Sequence, residues 1–394
     1  MSSRAVVVLA LASFASASAL RAVDPLLPLL AETFGTSAGG ASAVITAFSV
    51  AYGALQIVNG PLSDRIGKYR MVFWVTAISA VGNLACAFAP SLPLLVAARF
   101  ATGATVGAIV PLAIAWIGDV VPYERRQPVL ARFLIGNMMG IALSTTVSGW
   151  LGELYGWRAI FFALSGLYVL TAALLWFELQ TNPVTRQAAK ASESMGQAFL
   201  RMISLTRIPW VRVVLAVVFT EGVFLYGPLA FAAYHVHRYL GLGIAASGTL
   251  IAAFAGGGLI YAAVAGRLVP RLGERGLVLA GGLFIGAGYL GLASAPAPVY
   301  AVLSLMALGA GLYMLHNTLQ LHATQMAPES RGAAVALFAF CLFSGQSAGV
   351  WLAAHVVDAV GTRPVFVVAA LGLPALAFEF RRRLAGRRRS GGAV

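Results

Sequence analysis

The sequence predicts an all-α membrane protein of twelve transmembrane helices, arranged as two pseudo-symmetric halves of six. Three observations predict it. Of 394 residues, 60% are hydrophobic and only 10% charged, too little charge to cover a soluble domain of this length. The apolar residues gather into runs that can cross about 30 Å of hydrocarbon, which takes roughly 20 residues at 1.5 Å rise each. Three loops of the first half recur in the second at one spacing. Continuous runs also argue against a transmembrane β-barrel, whose strands alternate over short segments.

Taken in order, the runs cover residues 5–32, 40–62, 69–90, 92–119, 128–151 and 156–178, then 208–234, 244–268, 276–295, 298–326, 331–356 and 363–383, and are called spans 1 to 12. Span 1 opens on MSSRAVVVLALASFASASAL, which also has the makings of a secretory signal; it is read as the first membrane helix. Pro25 and Pro28 weaken it near its far end. Span 2 carries a polar stripe, Ser49, Tyr52, Gln56 and Asn59, read as packing against span 11 in preference to a cavity rim. Between spans 6 and 7 lies the longest polar stretch, where Met195, Phe199 and Met202 recur at helical spacing beside charges. That pattern fits a short helix on the membrane surface, or equally a flexible linker. The glycines of span 8 (Gly256 to Gly258) and span 9 (Gly281, Gly282, Gly286, Gly288) fit close helix contact. The expected domains are residues 1–180, a linker at 181–207, and residues 208–394 with a basic tail.

A net charge of +14 raises the question of nucleic acid, but the basic residues sit in short clusters between runs, as the positive-inside rule expects. With the N-terminus inside, only Arg158, Arg238 and Arg363 fall outside, and Arg21 and Arg99 lie within spans. This bias places both termini in the cytoplasm and requires an even number of spans, in a bacterial-type inner membrane. The two cysteines, Cys86 and Cys341, lie in apolar runs, which argues against a disulfide framework or a Cys-based metal site. No phosphate loop, nucleophile triad or metal-ligand cluster stands out. The expectation is a chain without cofactor or metal, not an enzyme, acting as a monomer with a small molecule, protons and the bilayer as partners.

Shifting the chain by 206 sets Gly60-Pro61-Leu62-Ser63-Asp64-Arg65-Ile66-Gly67 on Gly266-Arg267-Leu268-Val269-Pro270-Arg271-Leu272-Gly273, and sets Pro122 and Arg125 on Pro328 and Arg331. A shift of 205 sets Gly156, Arg158 and Phe161 on Gly361, Arg363 and Phe366. Two such halves related by an axis along the membrane normal are a transporter architecture.

Against that background, GPLSDRIGKYR resembles the loop signature of the major facilitator superfamily, Gly-x-Leu-x-Asp-Arg-x-Gly-Arg/Lys, which stands between the same two helices there. LVAARFATGATVGA, Leu95 to Ala108, is similar to that superfamily's fourth-helix signature at Arg99 and Gly103 and points toward its drug:proton antiporter branch. A Gly-Pro-x-x-Gly-Gly pattern of that branch falls on Ser144 to Gly149, and only Gly149 matches. The resemblance implies the major facilitator fold, alternating access driven by the proton gradient, and export of a small, mostly apolar organic compound. Proton-coupled uptake of a nutrient or metabolite is the alternative; an intramembrane enzyme using His316 or Glu221 is disfavoured because the candidates are dispersed. In the loop motif Gly60, Asp64, Arg65, Gly67 and Lys68 match, and Arg271 is a charge kept in the copy. The resemblance implies that Asp64 docks on the first turn of span 11, near Arg331 to Ala333, and that Arg65 pairs with Asp119 at the end of span 4.

Ionisable residues well inside spans normally face a bundle interior or a wet cavity. They are Arg21 and Asp24 in span 1, Arg99 in span 4, Glu221 in span 7 and His316 in span 10, and in the superfamily these four helices line the central cavity. Arg21 and Asp24, three apart, can pair. The favoured reading makes Asp24 a proton or cation site tuned by Arg21 and Arg99; the other is an ion pair that only locks span 1. Glu221 has no cation within a helical turn, which suits a proton carrier, an anchor for a cationic substrate, or a permanently neutral acid bonded to a neighbour. His316, Asn317, Gln320 and Thr324 form a polar stripe for substrate or for interhelical bonds. Asn137 and Tyr226 are counted with the same path. His235 and His237 fall at the end of span 7 and are expected to be solvated.

Overall fold

Residues 3–186 and 195–389 are described in a computed structural model, except some side chains that include those of Pro61 and Asp64. The expected seat of Asp64 on span 11 therefore lies outside the described residues. Among these residues every regular element is helical. Eleven helices are long and apolar enough to cross a membrane: Arg4–Phe34, Ala38–Asn59, Lys68–Ala87, Leu92–Val120, Pro128–Tyr155, Arg158–Thr181, Pro209–Leu240, Ile244–Ser294, Pro298–Gln325, Pro328–Val360 and Thr362–Arg387.

One of the eleven is two spans. Ile244–Ser294 has 51 residues, which at 1.5 Å each would be far longer than one crossing. It breaks at Gly273, whose φ of 60° and ψ of 176° are not helical. The chain reverses there, because Gly257 before the break and Gly288 after it lie against Met306 and Ser304 of the same stretch of span 10. The count is then twelve, and the spans keep the numbering above.

The repeat is written in the backbone. Among the described residues six glycines have positive φ, and they pair by the repeat: Gly35 and Gly241 (59° and 65°), Gly67 and Gly273 (94° and 60°), Gly156 and Gly361 (82° and 88°). Each ends a helix where a side chain would be strained. At Gly67 the chain turns as the sequence suggests, but Gly60 does not: Gln56–Ile66 is helical, so span 2 runs on through most of the loop motif. The face of the bundle carrying Gly67 and Gly273 is called the basic face below.

Two large apolar clusters fill most of the bundle, beside a small third one of Tyr261, Leu277 and Met314. One centres on Leu9, Phe48, Ile109, Phe161 and Tyr168, the other on Val218, Phe254, Ile285, Leu308 and Phe366. Without a hydrophobic force between helices in lipid, close backbone contact holds them. Gly103 and Gly107 of span 4 rest on the carbonyls of Phe48 and Tyr52, and Gly257 and Gly309 mesh spans 8 and 10 against Met306 and Phe254. The expected role of the span 8 and 9 glycines holds except at Gly256, beside which there is open space. The span 2 stripe packs: Ser49 Oγ accepts from Gln346 Nε2 of span 11 at 2.8 Å, and Gln56 Nε2 donates to Gly107 O at 2.9 Å. A helix does form in the linker, Met195–Leu205. It buries Met202 and Leu205 and exposes Phe199, Leu200 and Ile203, an apolar edge suited to a membrane surface.

Candidate functional site

Spans 1 and 7 each depart from regular α-helix partway along, and the two departures position the site. In span 1 the α-helix Ser3–Arg21 ends and a 3-10 turn, Asp24–Leu26, follows before the helix resumes at Leu27. Pro25 and Pro28 remove the amide hydrogens that would continue the ladder. The freed carbonyl of Ala22 accepts from Ser148 Oγ of span 5. In span 7 the helix Pro209–Glu221 passes into a π-helical turn, Gly222–Tyr226, and Leu225 O accepts from Tyr289 of span 9. Hydroxyls from neighbouring spans thus satisfy backbone groups that lipid cannot.

Each break displays one acid. Arg21 Nη1 donates to Asp24 Oδ2 at 2.9 Å, with both side chains buried. Asp24 Oδ1 has no hydrogen-bond partner. The Arg21 guanidinium lies 5.1 Å from the Tyr226 ring centre, within cation–π range, so span 1 touches span 7 here. Glu221 is fully enclosed, with Oε2 2.9 Å from His316 Nδ1 of span 10. When Glu221 is ionised that nitrogen is the donor. Glu221 Oε1 has no partner. The sequence left Glu221 without a base; span 10 supplies it.

Between the two pairs lies a cavity of about 220 Å³. Its polar wall is Arg21, Asn137, Tyr226, Tyr313, His316 and Gln346, and its apolar wall includes Met138, Phe254, Leu312 and Phe343. Arg21 and His316 reach the wall, whereas Asp24 and Glu221 do not. Each acid therefore sits behind its base, within hydrogen-bond reach of it.

The other expected residues fall elsewhere. Arg99 is fully buried away from the cavity wall: its guanidinium carbon lies 3.8 Å from the Phe48 ring centre and Nη2 donates to Ala19 O at 3.2 Å. Asn317 and Gln320 are exposed and outside the wall, because only every third or fourth residue of span 10 can face inward. Lys68, not Arg65, is the cation on Asp119, since Lys68 opens span 3 beside the end of span 4. Arg271 is exposed on the basic face. His235 is buried rather than solvated, held by Thr362 Oγ1 at 2.6 Å and Leu292 O at 3.1 Å. His237 Nδ1 donates to Leu242 O at 2.7 Å. Sequence reasoning missed Gln346 as a polar wall residue; a lone amide in the apolar run of span 11 was the available signal.

Residues 9–350 match the family model described as Major Facilitator Superfamily. The uncharacterized transporter YgaY of Escherichia coli O157:H7 is 32% identical over 156 residues, 39% of this chain and 39% of that protein. The chain thus matches about two fifths of that relative's length. The uncharacterized MFS-type transporter YceJ of Bacillus subtilis is 23% identical over 84% of this chain and 83% of its own. The crystal structure of the nucleoside transporter NupG superposes with a TM-score of 0.76 at 15% identity, covering 96% of this chain and 98% of that one, a likeness of fold.

Proposed function

The chain belongs to the major facilitator superfamily, and from that premise we propose that it is a proton-coupled secondary active transporter exporting a small, mostly apolar organic compound by alternating access. The observation that carries this reading is the acid behind each base on a central cavity whose wall is shared by spans of both halves.

The chemistry follows from that order. A proton entering from the cavity meets the His316 ring first and passes through Nδ1 to Glu221. Glu221 Oε2, which faces that nitrogen at 2.9 Å, receives it as the ring takes up the cavity proton on its other nitrogen. Once Glu221 is neutral its hold on His316 weakens, and the imidazole is free to turn toward substrate. Asp24 and Arg21 repeat the logic in the other half: a proton on Asp24 releases the guanidinium to the cavity. Paired charges leave the resting cavity nearly neutral, which suits an uncharged compound held against Tyr226, Tyr313 and Phe343.

The basic face is assigned to the cytoplasm of a bacterial inner membrane, with both termini there, on the arginine and lysine bias. The six-helix units 1–180 and 208–394, joined by 181–207, are the bodies that rock, and the protein works as a monomer. A second reading, proton-coupled uptake, is favoured by one observation: Ser144 to Ser148 depart from the antiporter pattern, and Ser148 instead caps the break in span 1.

The test is proteoliposomes with an imposed pH gradient, an internal pH dye and a panel of uncharged aromatic and aliphatic compounds. Proton movement that depends on a compound and runs opposite to it supports export. Movement of both in one direction moves the assignment to uptake, and compound movement without protons overturns the coupling.

A further inference from the structure

On the face opposite the basic one, two carboxylates cross between the halves in the same way. Asp358, at the end of span 11, accepts from Ser37 Oγ at 2.6 Å and from the backbone nitrogen of Gly39 at 2.9 Å, both at the start of span 2. Glu153, at the end of span 5, accepts from the backbone nitrogen of Ala245 at 2.7 Å, at the start of span 8. The repeat relates every member. A shift of 205 carries Glu153 onto Asp358, and a shift of 206 carries Ser37 and Gly39 onto Gly243 and Ala245. One contact is thus made twice, each time from an acid of one half to the first turn of a helix of the other.

Three features show that both positions are fitted to this contact. The first-turn amides have no partner within their own helix, so a carboxylate on them satisfies a bond and meets the positive end of the helix. A Cβ on Gly39 would collide with Asp358 and the Ala354 carbonyl, and a Cβ on Gly243 would lie 2.8 Å from Glu153 Oε2. Beneath the acids the helices touch backbone to backbone: a Cβ on Gly149 would lie 3.2 Å from the Ala245 Cα, and one on Gly248 would strike the Thr145 carbonyl. The basic face lacks this symmetry, because the copy of Asp64 is Pro270 and the Lys68–Asp119 pair stays within one half.

We propose that Glu153 and Asp358 form a twofold gate that closes the cavity on the opposite face, and that they are positioning residues for transport because they set how often that face opens. The inference rests on alternating access but not on protons, direction or substrate, and its readout needs no substrate. Its failure is therefore separable from failure of the transport assignment.

The experiment uses the full chain in phosphatidylethanolamine–phosphatidylglycerol nanodiscs, with Cys86 and Cys341 changed to alanine and spin labels at Phe88→Cys and Val299→Cys. These are exposed positions at the ends of spans 3 and 10, one in each half. Each of Glu153→Ala and Asp358→Ala raises the ratio of the longer to the shorter distance by about tenfold, the low end for a charge-assisted bond at a wet site. The double variant raises it further. Glu153→Gln and Asp358→Asn, which keep one acceptor oxygen, fall between parent and alanine. A double variant with the parent distribution overturns the proposal, as does a lower thermal midpoint with no change in the ratio. If the double variant does not fold, the single variants decide: parent-like distributions in both overturn the gate.

Discussion

Glu221 and His316 lie 95 positions apart in sequence and 2.9 Å apart in space, with the imidazole on the cavity wall and the carboxyl enclosed behind it. That order makes the histidine the passage to the acid. It also explains how a fully buried carboxyl is tolerated, since a burial of this kind needs a bonded partner.

The first prediction concerns this pair. Glu221→Gln abolishes the pH dependence of transport and leaves substrate binding largely intact, because the amide keeps the hydrogen bond but cannot take a proton. His316→Phe keeps Glu221 and blocks the passage, slowing proton-coupled transport by about 100-fold, the low end for loss of a positioned proton-transfer group. Both are read by internal pH in proteoliposomes and by binding calorimetry. Unchanged coupling in Glu221→Gln would falsify the carrier role.

Arg21 and Asp24 are predicted to behave as one unit. Asp24→Asn leaves a buried guanidinium uncompensated and costs about 3 kcal/mol of stability, the lower value for breaking a buried pair. Arg21→Gln combined with Asp24→Asn recovers most of that loss while transport stays uncoupled. Thermal unfolding in detergent, run as a double-mutant cycle, checks the stability and proteoliposome flux checks the coupling. Additive single effects argue against the pair.

Arg99 is predicted to hold the first half together without touching substrate. Stacked on Phe48 and bonded to the Ala19 carbonyl, it ties span 4 to spans 1 and 2. Arg99→Ala empties a large buried site and costs on the order of 3 kcal/mol, seen as a lower unfolding midpoint. Substrate affinity of the folded fraction stays at the parent value. A weaker affinity at unchanged stability would move Arg99 into the site.

Gly309 is predicted to tolerate no side chain. A Cβ there would strike the Phe254 carbonyl of span 8, and neither backbone can yield. Gly309→Ala costs about 1–3 kcal/mol as overpacking and displaces Phe254 from the cavity wall, so substrate affinity falls with stability. Gly256→Ala, with open space beside it, is the neutral control.

The residues differ in how well they could be read from the sequence. Arg21 and Asp24 were legible as a pair because partners three apart on one helix are a local matter. The turn at Gly67 was legible because its copy, Gly273, stands one repeat away. His316 as the base for Glu221 was not, because nothing local tells which face of span 10 meets span 7. Asp119 was assigned to Arg65, three residues short of Lys68, since span 2 stays helical through Gly60 and carries the turn to Gly67. The symmetry of Glu153 and Asp358 was present in the loop repeat, but acceptance by a backbone amide leaves no mark in a side-chain pattern.

By itself the sequence determined twelve spans, their repeat in two halves, and which spans carry charge, because these follow from the length of apolar runs and the spacing of glycines along one chain. Only the tertiary structure decided that each acid stands behind a base, that Arg99 is buried off the cavity wall, and that two carboxylates join the halves on one face. Those outcomes depend on helix rotation and depth. In lipid, helix rotation and depth are set by close backbone contact between glycines of different spans rather than by any preference of the span itself.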